Sequence, residues 1–359
     1  MIALSARQLG YRVHVFAPDA ARSPAGQVAD LSVTGDYLDA AAIRTFADAV
    51  DVLTVEFENI PASALAAAAE AVPVRPGITS LRTTQNRGRE KRFLADTGVP
   101  HARFAPVDDA SSLDGALGLI GMPAVLKTAG FGYDGKGQKV IRSEADLDAA
   151  CALAAQQPCV LEEFVDFVRE VSVISARNAG GETATFGLFE NVHRDHILDV
   201  TLAGTVPADL QARAGGIAER IGRELDHVGV FCVELFETRA GGLLVNEVAP
   251  RVHNSGHITI ESARTSQFEQ HVRAICGLPL GATGLLSGGA MANLLGDLWT
   301  GGEPDWAAAL EDPRVKLHLY GKSDARPGRK MGHLSAVADS ASDAVAAVTR
   351  ARARLSGED

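Results

Sequence analysis

Stretches with alternating apolar positions and stretches with helical spacing follow one another through the first part of the chain. The apolar pattern predicts strands over residues 12–16 and 52–57, and helices over residues 1–9, 38–49 and 62–71. Strands that alternate with helices are typical of a parallel α/β sheet with helices on its faces. A domain of that kind normally begins with a strand, whereas this sequence begins with a helix.

The pattern changes after residue 80, where a charged helix over residues 80–97 leads into a smaller unit at 99–165. Within that unit the sequence predicts strands over 123–127, 139–142 and 159–163, and a helix over 144–155. Later elements are predicted as strands over 170–177 and 183–191, a helix over 208–225 and a closing helix over 342–354. After residue 277 the chain is less patterned.

Composition limits the classes of protein to which the chain can belong. Its 359 residues suit two or three domains, and 46% of them are hydrophobic, enough to fill sizeable cores. A net charge of −11 argues against broad binding to nucleic acid or to an anionic membrane. No apolar run is long enough to span a bilayer. Four cysteines without CxxC spacing indicate free thiols in a reducing cytoplasm.

A glycine-rich segment, residues 128–138, lies between two predicted strands. Gly130, Gly132 and Gly135 have the spacing of a dinucleotide-binding motif, and the segment differs from a P-loop motif at one residue. Both motifs require a helix after the loop, whereas a strand is predicted here. We therefore interpret it as a hairpin that covers nucleotide phosphates with its backbone N–H groups, with a plain surface hairpin as the alternative. Lys127, at the end of the preceding strand, would meet a phosphate oxygen.

A second hairpin is predicted around residues 238–242. If Thr238 pairs with Leu243, Glu234 lies directly opposite Glu247. Two like charges on one sheet face are destabilising unless something lies between them, and a hard cation such as Mg²⁺ favours oxygen ligands. Asn246 points to the other face in a regular strand and lies beside Glu247 where the strand ends. Two surface glutamates on an ordinary hairpin remain the alternative.

Histidines occur twice with a spacing that suits a metal. His253 and His257 are four residues apart, but Asn-Ser-Gly between them is a poor helix, so a loop that presents polar groups to a ligand is the better interpretation. His193 and His196 lack a third ligand nearby, so a metal there is disfavoured.

Other charged groups are candidates for anions or for a nucleoside. Residues 162–165 end a strand with an acid, which suits an adenine edge and ribose hydroxyls, or a linker. Within the helix over residues 80–97 most cations are expected to face solvent, while one or two could reach an anion across a cleft. Residues 322–330 contain four cations in an acidic chain. This cluster is equally consistent with a local anion site and with a basic loop that binds no ligand.

Four segments, VLKTAGFGYDGKGQ, ENVHRDHILDVT, VNEVAPRVHNSGH and ARPGRKMGH, occur in the order found in one family. The chain resembles the ATP-grasp superfamily and, within it, the N5-carboxyaminoimidazole ribonucleotide synthetase (PurK) family. The resemblance implies an α/β and α+β chain with an ATP-grasp fold. It implies a Rossmann-like pre-ATP-grasp domain over 1–90, an ATP-grasp domain over 91–280 with a lid at about 99–165, and a C-terminal subdomain over 281–359 that completes the substrate site.

The resemblance also implies roles for individual residues. The ATP site would be lined by Arg87, Lys127, Gly132, Tyr133, Asp134, Gly135, Lys136, Gly137, Gln138, Glu162, Glu163, Phe164, Val165, Glu170, His193, Asn246 and Glu247. Mg²⁺, or Mn²⁺ in its place, would be held by Glu234 and Glu247. The catalytic residues would be Asp134, Arg251, His253, Asn254 and Ser255, with Asp134 a candidate to handle the amine proton. The substrate ribonucleotide would be held by Tyr133, Asp134, Lys136, Lys322 and Arg329, the last two at its 5′-phosphate.

The implied reaction is a ligation. Bicarbonate attacks the γ-phosphate of ATP to give carboxyphosphate and ADP, and the carboxyl group then passes to the amine of aminoimidazole ribonucleotide. The implied partners are these small molecules, with no nucleic acid and no membrane, and the implied assembly is a cytoplasmic homodimer.

The chain departs from the family at its start. Members begin with a strand and a glycine-rich loop before the helix that begins here at Met1. We expect either a start codon assigned too late or a damaged copy, and the presence of every later site residue favours the first. The rival functions are another ATP-grasp carboxylate–amine ligase and a catalytically impaired nucleotide-binding copy.

Overall fold

The computed structural model describes residues 1–130 and 137–356. The N-terminal unit contains α1 (Ile2–Gln8), β1 (His14–Ala17), β2 (Leu31–Thr34), α2 (Ala40–Ala47) and α3 (Ala62–Ala69). Strands β1 and β2 pair in parallel, and β2 was not predicted from the sequence.

The strand predicted over residues 52–57 is wrong. Leu53 makes one isolated parallel bridge to Val74, in which Leu53 N donates to the carbonyl of Pro73 at 2.9 Å and the Leu53 carbonyl accepts from Arg75 N at 2.8 Å. On the N-terminal side the ladder cannot extend, because Pro73 has no N–H to donate.

The charged helix predicted over residues 80–97 is two helices, α4 (Ile78–Thr84) and α5 (Arg87–Asp96). Asn86 interrupts them with an extended backbone (φ −133°, ψ 117°), and its side chain caps α5 by accepting a hydrogen bond from Arg89 N at 3.0 Å. Within α5, Lys91 is buried, whereas Arg89 and Arg92 are exposed.

A small antiparallel sheet has the strand order β3 (Phe104–Val107), β6 (Cys159–Glu163), β4 (Ala124–Thr128) and β5 (Gln138–Ile141). Helices α6 (Leu113–Ile120) and α7 (Leu147–Ala154) cover one face. Leu113, Leu126, Ile141 and Leu161 are fully buried in the core between the sheet and these helices.

The largest element is an eight-stranded antiparallel sheet. Its order is β11 (Leu243–Ala249), β10 (Gly229–Thr238), β7 (Phe167–Arg177), β8 (Thr183–Arg194), β9 (Ile197–Ala203), β12 (Gly288–Leu295), β14 (Lys330–Ala338) and β13 (Val315–Leu319). The sheet therefore takes strands from both sides of residue 281.

Helices cover both faces of this sheet. The helices are α8 (Ala208–Glu224), α9 (Thr259–Ser262), α10 (Gln267–Ile275), α11 (Trp306–Ala309) and α12 (Ala341–Ser356). Along β10, Phe231 packs in the core that contains Ile221 of α8, while Cys232 packs in the core that contains Phe268 of α10. The alternation of strand side chains thus divides the apolar residues between two cores.

The weak pattern after residue 277 has a physical cause. Strands β12 and β14 are buried along nearly their whole length, and α12 packs on both of them. A strand buried on both faces lacks the alternation by which an amphipathic strand is recognised.

Two global predictions can be compared with the fold. Cys151, Cys159, Cys232 and Cys276 are free, as predicted. Within residues 1–130 and 137–356, no helix combines the length and the apolar character that a membrane crossing requires.

Candidate active site

Strands β10 and β11 form the predicted hairpin, and Glu234 lies directly opposite Glu247. The predicted pairing next to the turn is wrong, because Leu243 pairs with Glu237 and not with Thr238. Thr238 N instead donates to the carbonyl of Gly242 at 2.9 Å. The turn is therefore one residue tighter than the sequence suggested, yet the two acids still meet.

A β-bulge at Asn246 restores the register. Glu234 pairs with Glu247, whereas the next pair is Leu235 with Val245, so Asn246 is the extra residue on β11. The bulge aims the Asn246 side chain at the base of the cleft, where Oδ1 accepts a hydrogen bond from Lys127 Nζ at 3.1 Å.

Glu234 is held by a chain of polar groups on its outer side. Its Oε1 lies 3.2 Å from His253 Nε2, and His253 Nδ1 lies 2.8 Å from Ser255 Oγ. Ser255 Oγ in turn contacts Ser172 Oγ at 2.7 Å. Burial would raise the pKa of Glu234, but His253, followed by His193 and Lys330, lowers it to about 2.

Glu247 is the more open of the two acids, with 41% of its side chain exposed against 18% for Glu234. Its Oε2 lies 3.2 Å from Arg87 Nη2. The pair fits Mg²⁺, because both donors are carboxylate oxygens and this ion is commonly held by one or two carboxylates together with substrate phosphates.

Glu247 also belongs to a group of five charged side chains that we call the cleft network: Arg87, Lys91, Lys127, Glu162 and Glu247. Oε2 of Glu162 lies 3.1 Å from both Lys91 Nζ and Lys127 Nζ. Burial would raise the pKa of Glu162, but Lys127, Lys91 and Arg87 hold it at about 2. Burial lowers the pKa of Lys127, although Glu162 opposes that shift.

Parts of the cleft network have no hydrogen-bond partner among the residues that the structure describes. These atoms are Oε1 of Glu162 and Nε and Nη1 of Arg87, all buried. Leaving buried polar atoms without partners is costly, so such atoms indicate a place that a polar ligand completes.

Glu90 lies next to the network, one residue before Lys91. It is 3% exposed, and Oε1 accepts a hydrogen bond from Val248 N at 2.7 Å. Burial raises its pKa to about 7, with Glu247 adding to the shift against the opposing effect of Arg87.

The other predicted nucleotide residues surround the cleft. His193 Nδ1 lies 3.1 Å from Glu170 Oε2. Burial would lower the pKa of His193, but the Glu170 carboxylate raises it above its ordinary value. At the end of β6, Glu163 turns outward to pair with Arg103 at 2.9 Å, and Phe164 is 38% exposed, while Val165 is half-buried.

The segment after β11 carries four of the predicted catalytic residues: Arg251, His253, Asn254 and Ser255. Asn254–Ile258 form a short 3₁₀ turn where the sequence predicted a loop. Arg251 makes a two-pronged ion pair with Glu58, with Nη2 donating to Oε1 at 2.9 Å. Both side-chain polar atoms of Asn254 are buried without a partner in residues 1–130 and 137–356, so Asn254 is available to a ligand and Arg251 is held by an acid.

The glycine-rich segment is described only at its ends. Gly137 has φ +76° and its carbonyl accepts from Thr128 N at 2.8 Å, and Gln138 pairs with Lys127 in the sheet. The remaining predicted residues lie outside the described residues: Gly132, Tyr133, Asp134, Gly135 and Lys136.

The predicted phosphate cations come from the loop before β14. Lys322 Nζ donates to the carbonyl of Lys330 at 2.7 Å and lies 5.3 Å from the centre of the Tyr320 ring. Arg329 Nη1 donates to the carbonyl of Asp324 at 2.8 Å and is 35% exposed in its side chain.

Two residues of the site were missed by sequence reasoning, Glu58 and Glu90, and Lys91 was counted among the cations of the charged helix without being singled out. Arg87 and Lys91 are four residues apart and share one helix face, whereas Arg92 is exposed. That spacing was a usable signal, but it could not show which face is buried while the break at Asn86 was unknown.

Family models match almost the whole chain. The ribonucleotide synthetase preATP-grasp domain matches residues 1–85, the ATP-grasp domain matches 92–268, and the phosphoribosylaminoimidazole carboxylase C-terminal domain matches 289–347. The predicted fold class is confirmed by these matches and by the similar solved structures described next.

Among known proteins, the chain is 44% identical to an N5-carboxyaminoimidazole ribonucleotide synthase of Bacillus subtilis, over 93% of this chain and 87% of that protein. Its structure resembles the N5-carboxyaminoimidazole ribonucleotide synthetase of Thermus thermophilus with a TM-score of 0.90 and 39% identity, covering 99% and 95% of the two chains. It also resembles the N5-carboxyaminoimidazole synthase of Aspergillus clavatus in complex with ADP and 5-aminoimidazole ribonucleotide, with a TM-score of 0.90, 31% identity and coverage of 99% and 95%.

Proposed function

The chain belongs to the N5-carboxyaminoimidazole ribonucleotide synthase family of ATP-grasp enzymes, and we propose that it carboxylates 5-aminoimidazole ribonucleotide with bicarbonate and ATP. ADP and phosphate leave, and the product enters purine biosynthesis. The rival ligase function is not favoured, because two relatives with this name align along 93% and 94% of the chain.

One observation supports the chemistry above all others. Glu234 and Glu247 face each other between the cleft network on one side and the Arg251–Ser255 segment on the other. Phosphoryl transfer from ATP to a carboxylate-like nucleophile brings several negative charges together. A site with cations on both sides of a pair of acids is suited to hold those charges through the transition state.

The nucleotide side is assigned to the cleft network and its neighbours. Lys127 and Arg87 would contact the phosphates, with the unpartnered Oε1 of Glu162 directed to a nucleoside donor. When bound to Glu234 and Glu247, Mg²⁺ would neutralise phosphate oxygens. Asn246 would keep its carboxamide near Lys127 and so orient the ammonium.

The bicarbonate side is assigned to Arg251, His253, Asn254 and Ser255. Glu58 fixes the Arg251 guanidinium, and the Ser255 hydroxyl fixes the His253 ring. Asn254 supplies a donor and an acceptor that are otherwise unpartnered among the described residues. These groups would hold bicarbonate in line with the γ-phosphate, then hold the carboxyphosphate that forms from it.

The amine side is assigned to Tyr133, Asp134 and Lys136, with Lys322 and Arg329 at the 5′-phosphate. Asp134 is the candidate that accepts the amine proton as the new C–N bond forms.

The deciding experiment measures phosphate release from ATP with each substrate omitted in turn. We expect full release only with ATP, bicarbonate and the ribonucleotide together, and a ¹³C label from bicarbonate on the exocyclic nitrogen of the product. Release that does not respond to the ribonucleotide contradicts the proposal, and a response to another amine in a substrate panel supports the rival ligase.

Three further features belong to the same proposal: Mg²⁺ as the metal, a homodimer and a cytoplasmic location. Activity after chelation and readdition of Mg²⁺ or Mn²⁺ tests the first. Sedimentation velocity tests the second, with a single monomer boundary at micromolar concentration as the contrary result. Fractionation of cells that express the protein tests the third.

A further inference from the structure

Lys91 is fully buried, with 0% exposure, and it is one of the largest side chains buried in this way in the described part of the molecule. Lysine is almost never buried completely unless it is paired, because an ammonium loses its hydration. Its position on α5, one turn after Arg87, brings it under the floor of the nucleotide cleft.

The Lys91 ammonium bridges two parts of the cleft. Nζ lies 3.1 Å from Glu162 Oε2 at the end of β6 and donates to the backbone carbonyl of Asn246 at 3.0 Å. Asn246 is the bulge residue of β11. Lys91 therefore connects the small sheet to the hairpin that carries the opposed acids.

Glu162 receives two ammonium groups on a single oxygen. Lys127 Nζ lies 3.1 Å from the same Oε2, and it also donates to Asn246 Oδ1 at 3.1 Å. A lysine held by a buried carboxylate is not free to meet a phosphate unless another cation compensates that carboxylate.

We propose that Lys91 is a positioning residue of the nucleotide site, which keeps Glu162 compensated when Lys127 turns to a phosphate of ATP. Arg87 Nη1 is 3.9 Å from Glu162 Oε1, and its guanidinium is shared with Glu247, so it cannot replace a lysine at 3.1 Å. Lys91 itself stays below the floor and acts through Glu162 and Lys127. The inference rests on the ATP site of the proposed function.

A double-mutant cycle tests the inference on the full chain. Lys91→Met keeps much of the side-chain volume and removes the charge. We expect the Kd for ATP and the KM for ATP to rise about tenfold, the scale of one charge-assisted hydrogen bond, while the KM for the ribonucleotide hardly changes. In a Glu162→Gln background the same substitution should change ATP affinity by less than about threefold, because no carboxylate is left to compensate.

An equal loss of ATP affinity in both backgrounds overturns the proposal, since it would show a packing role that does not pass through Glu162. The matched control is Arg92→Met, which removes an exposed cation from the next position of α5 and should leave the Kd for ATP unchanged. An equal loss in this control would also overturn the proposal, because general electrostatics would then explain the effect.

If Lys91→Met does not fold, a second comparison still tests the inference. The double variant Lys91→Met/Glu162→Gln removes both charges of the Lys91–Glu162 pair and leaves Lys127 its hydrogen bond to Asn246 Oδ1, so it is expected to fold. It should bind ATP no worse than Glu162→Gln alone, and binding about tenfold weaker contradicts the inference. Because ATP binding is read directly, a wild-type chain that binds ATP but makes no carboxylated product would refute the proposed function while leaving the cycle interpretable.

Discussion

Two groups of polar side chains join the N-terminal residues to the large sheet, and they differ in charge. The cleft network is made of ions that share partners across gaps of 3.1 to 3.9 Å, such as Lys91 and Lys127 on Glu162. The second group, which we call the histidine cluster, contains Thr54, Ser80, His227 and His271 and is neutral.

Backbone partners fix the proton positions in the histidine cluster. Val230 N donates to His271 Nδ1 at 3.1 Å, so Nε2 carries the proton and donates to Thr54 Oγ1 at 2.8 Å. His227 Nε2 donates to the carbonyl of Val230 at 3.2 Å, so Nδ1 accepts from Ser80 Oγ at 2.9 Å. Each ring nitrogen of both histidines is satisfied within the protein.

The histidine cluster is a complete structural contact, whereas the cleft network is a site with room for a ligand. The histidine cluster satisfies both of its rings, whereas the cleft network leaves Glu162 Oε1 and Arg87 Nη1 without hydrogen-bond partners in the described residues. Burial of charge costs more than burial of neutral groups. Charged side chains therefore lie where a charged substrate can bind them, and neutral rings lie where the contact only stabilises the fold.

Acid should weaken the histidine cluster and leave Glu162 of the cleft network ionised, and this is the largest effect we expect. Burial lowers the pKa of His227 to about 3 and of His271 to about 4, so their contribution is complete above about pH 6.5 and is lost as pH falls. At pH 4.5 the two together should cost about 5 kcal/mol of unfolding free energy relative to pH 7.5. Glu162, with a pKa of about 2, stays ionised throughout.

Urea denaturation at several pH values measures this effect. His271→Gln should recover about 2 kcal/mol of the loss at pH 4.5, while His196→Gln, which changes an exposed ring, should recover none. His257 and His333, whose pKa values burial also lowers, add to the loss in every variant. Glu90 opposes the histidines, because its pKa is raised to about 7 and its cost is relieved as pH falls.

Glu90→Gln is the complementary variant for this comparison. It removes the acid whose burial cost is relieved at low pH, so the loss of stability between pH 7.5 and 4.5 should become steeper. A pH dependence that stays the same in both His271→Gln and Glu90→Gln contradicts the assignment of the acid effect to these buried groups.

Removing a charge at the open acid should affect turnover and not stability. Glu247→Gln keeps the shape of the side chain and should lower kcat by about 10² or more if the carboxylate serves a metal and the transition-state charge. Steady-state kinetics at saturating Mg²⁺ measure it. Glu224→Gln, an exposed acid at the end of α8, serves as the control. Near-normal turnover in Glu247→Gln would refute the role.

Cations outside the cleft network should act on a different ligand. Arg329→Ala should raise the KM for the ribonucleotide about ten- to a hundredfold, the scale of one charge-assisted hydrogen bond, and leave ATP affinity near its original value. Separate titrations of the two ligands decide the matter. Arg326→Ala removes a neighbouring cation that pairs with Asp324 and is the matched control. If Arg329→Ala loses ATP affinity, the loop binds the nucleotide and not the ribonucleotide substrate.

The smallest effect is expected at the edge of the histidine cluster. Thr54→Val leaves the buried N–H of His271 Nε2 without an acceptor and should cost about 1 kcal/mol of unfolding free energy. The KM for ATP should not change, because Thr54 lies outside the cleft network. A raised KM with unchanged stability would show that the two groups are not separate.

Local chemistry in the sequence was enough to bring the two acids together. Glu234 and Glu247 meet as predicted, although the turn pairing was wrong, because the Asn246 bulge compensates for one residue. Lys91 could not be identified, since helical spacing shows a shared face and not which face is covered. The strands after residue 277 were hidden because burial on both faces removes alternation.

The bulge at Asn246 also constrains how this family can change in length. A one-residue slip in a hairpin sends every following side chain to the opposite face. The turn after Thr238 is one residue shorter than a turn closed by Thr238 and Leu243, and the bulge adds one residue to β11. The two changes cancel, so Glu234 and Glu247 stay opposite each other. Among relatives that keep the same number of residues between these two glutamates, one without the bulge should have a turn longer by one residue.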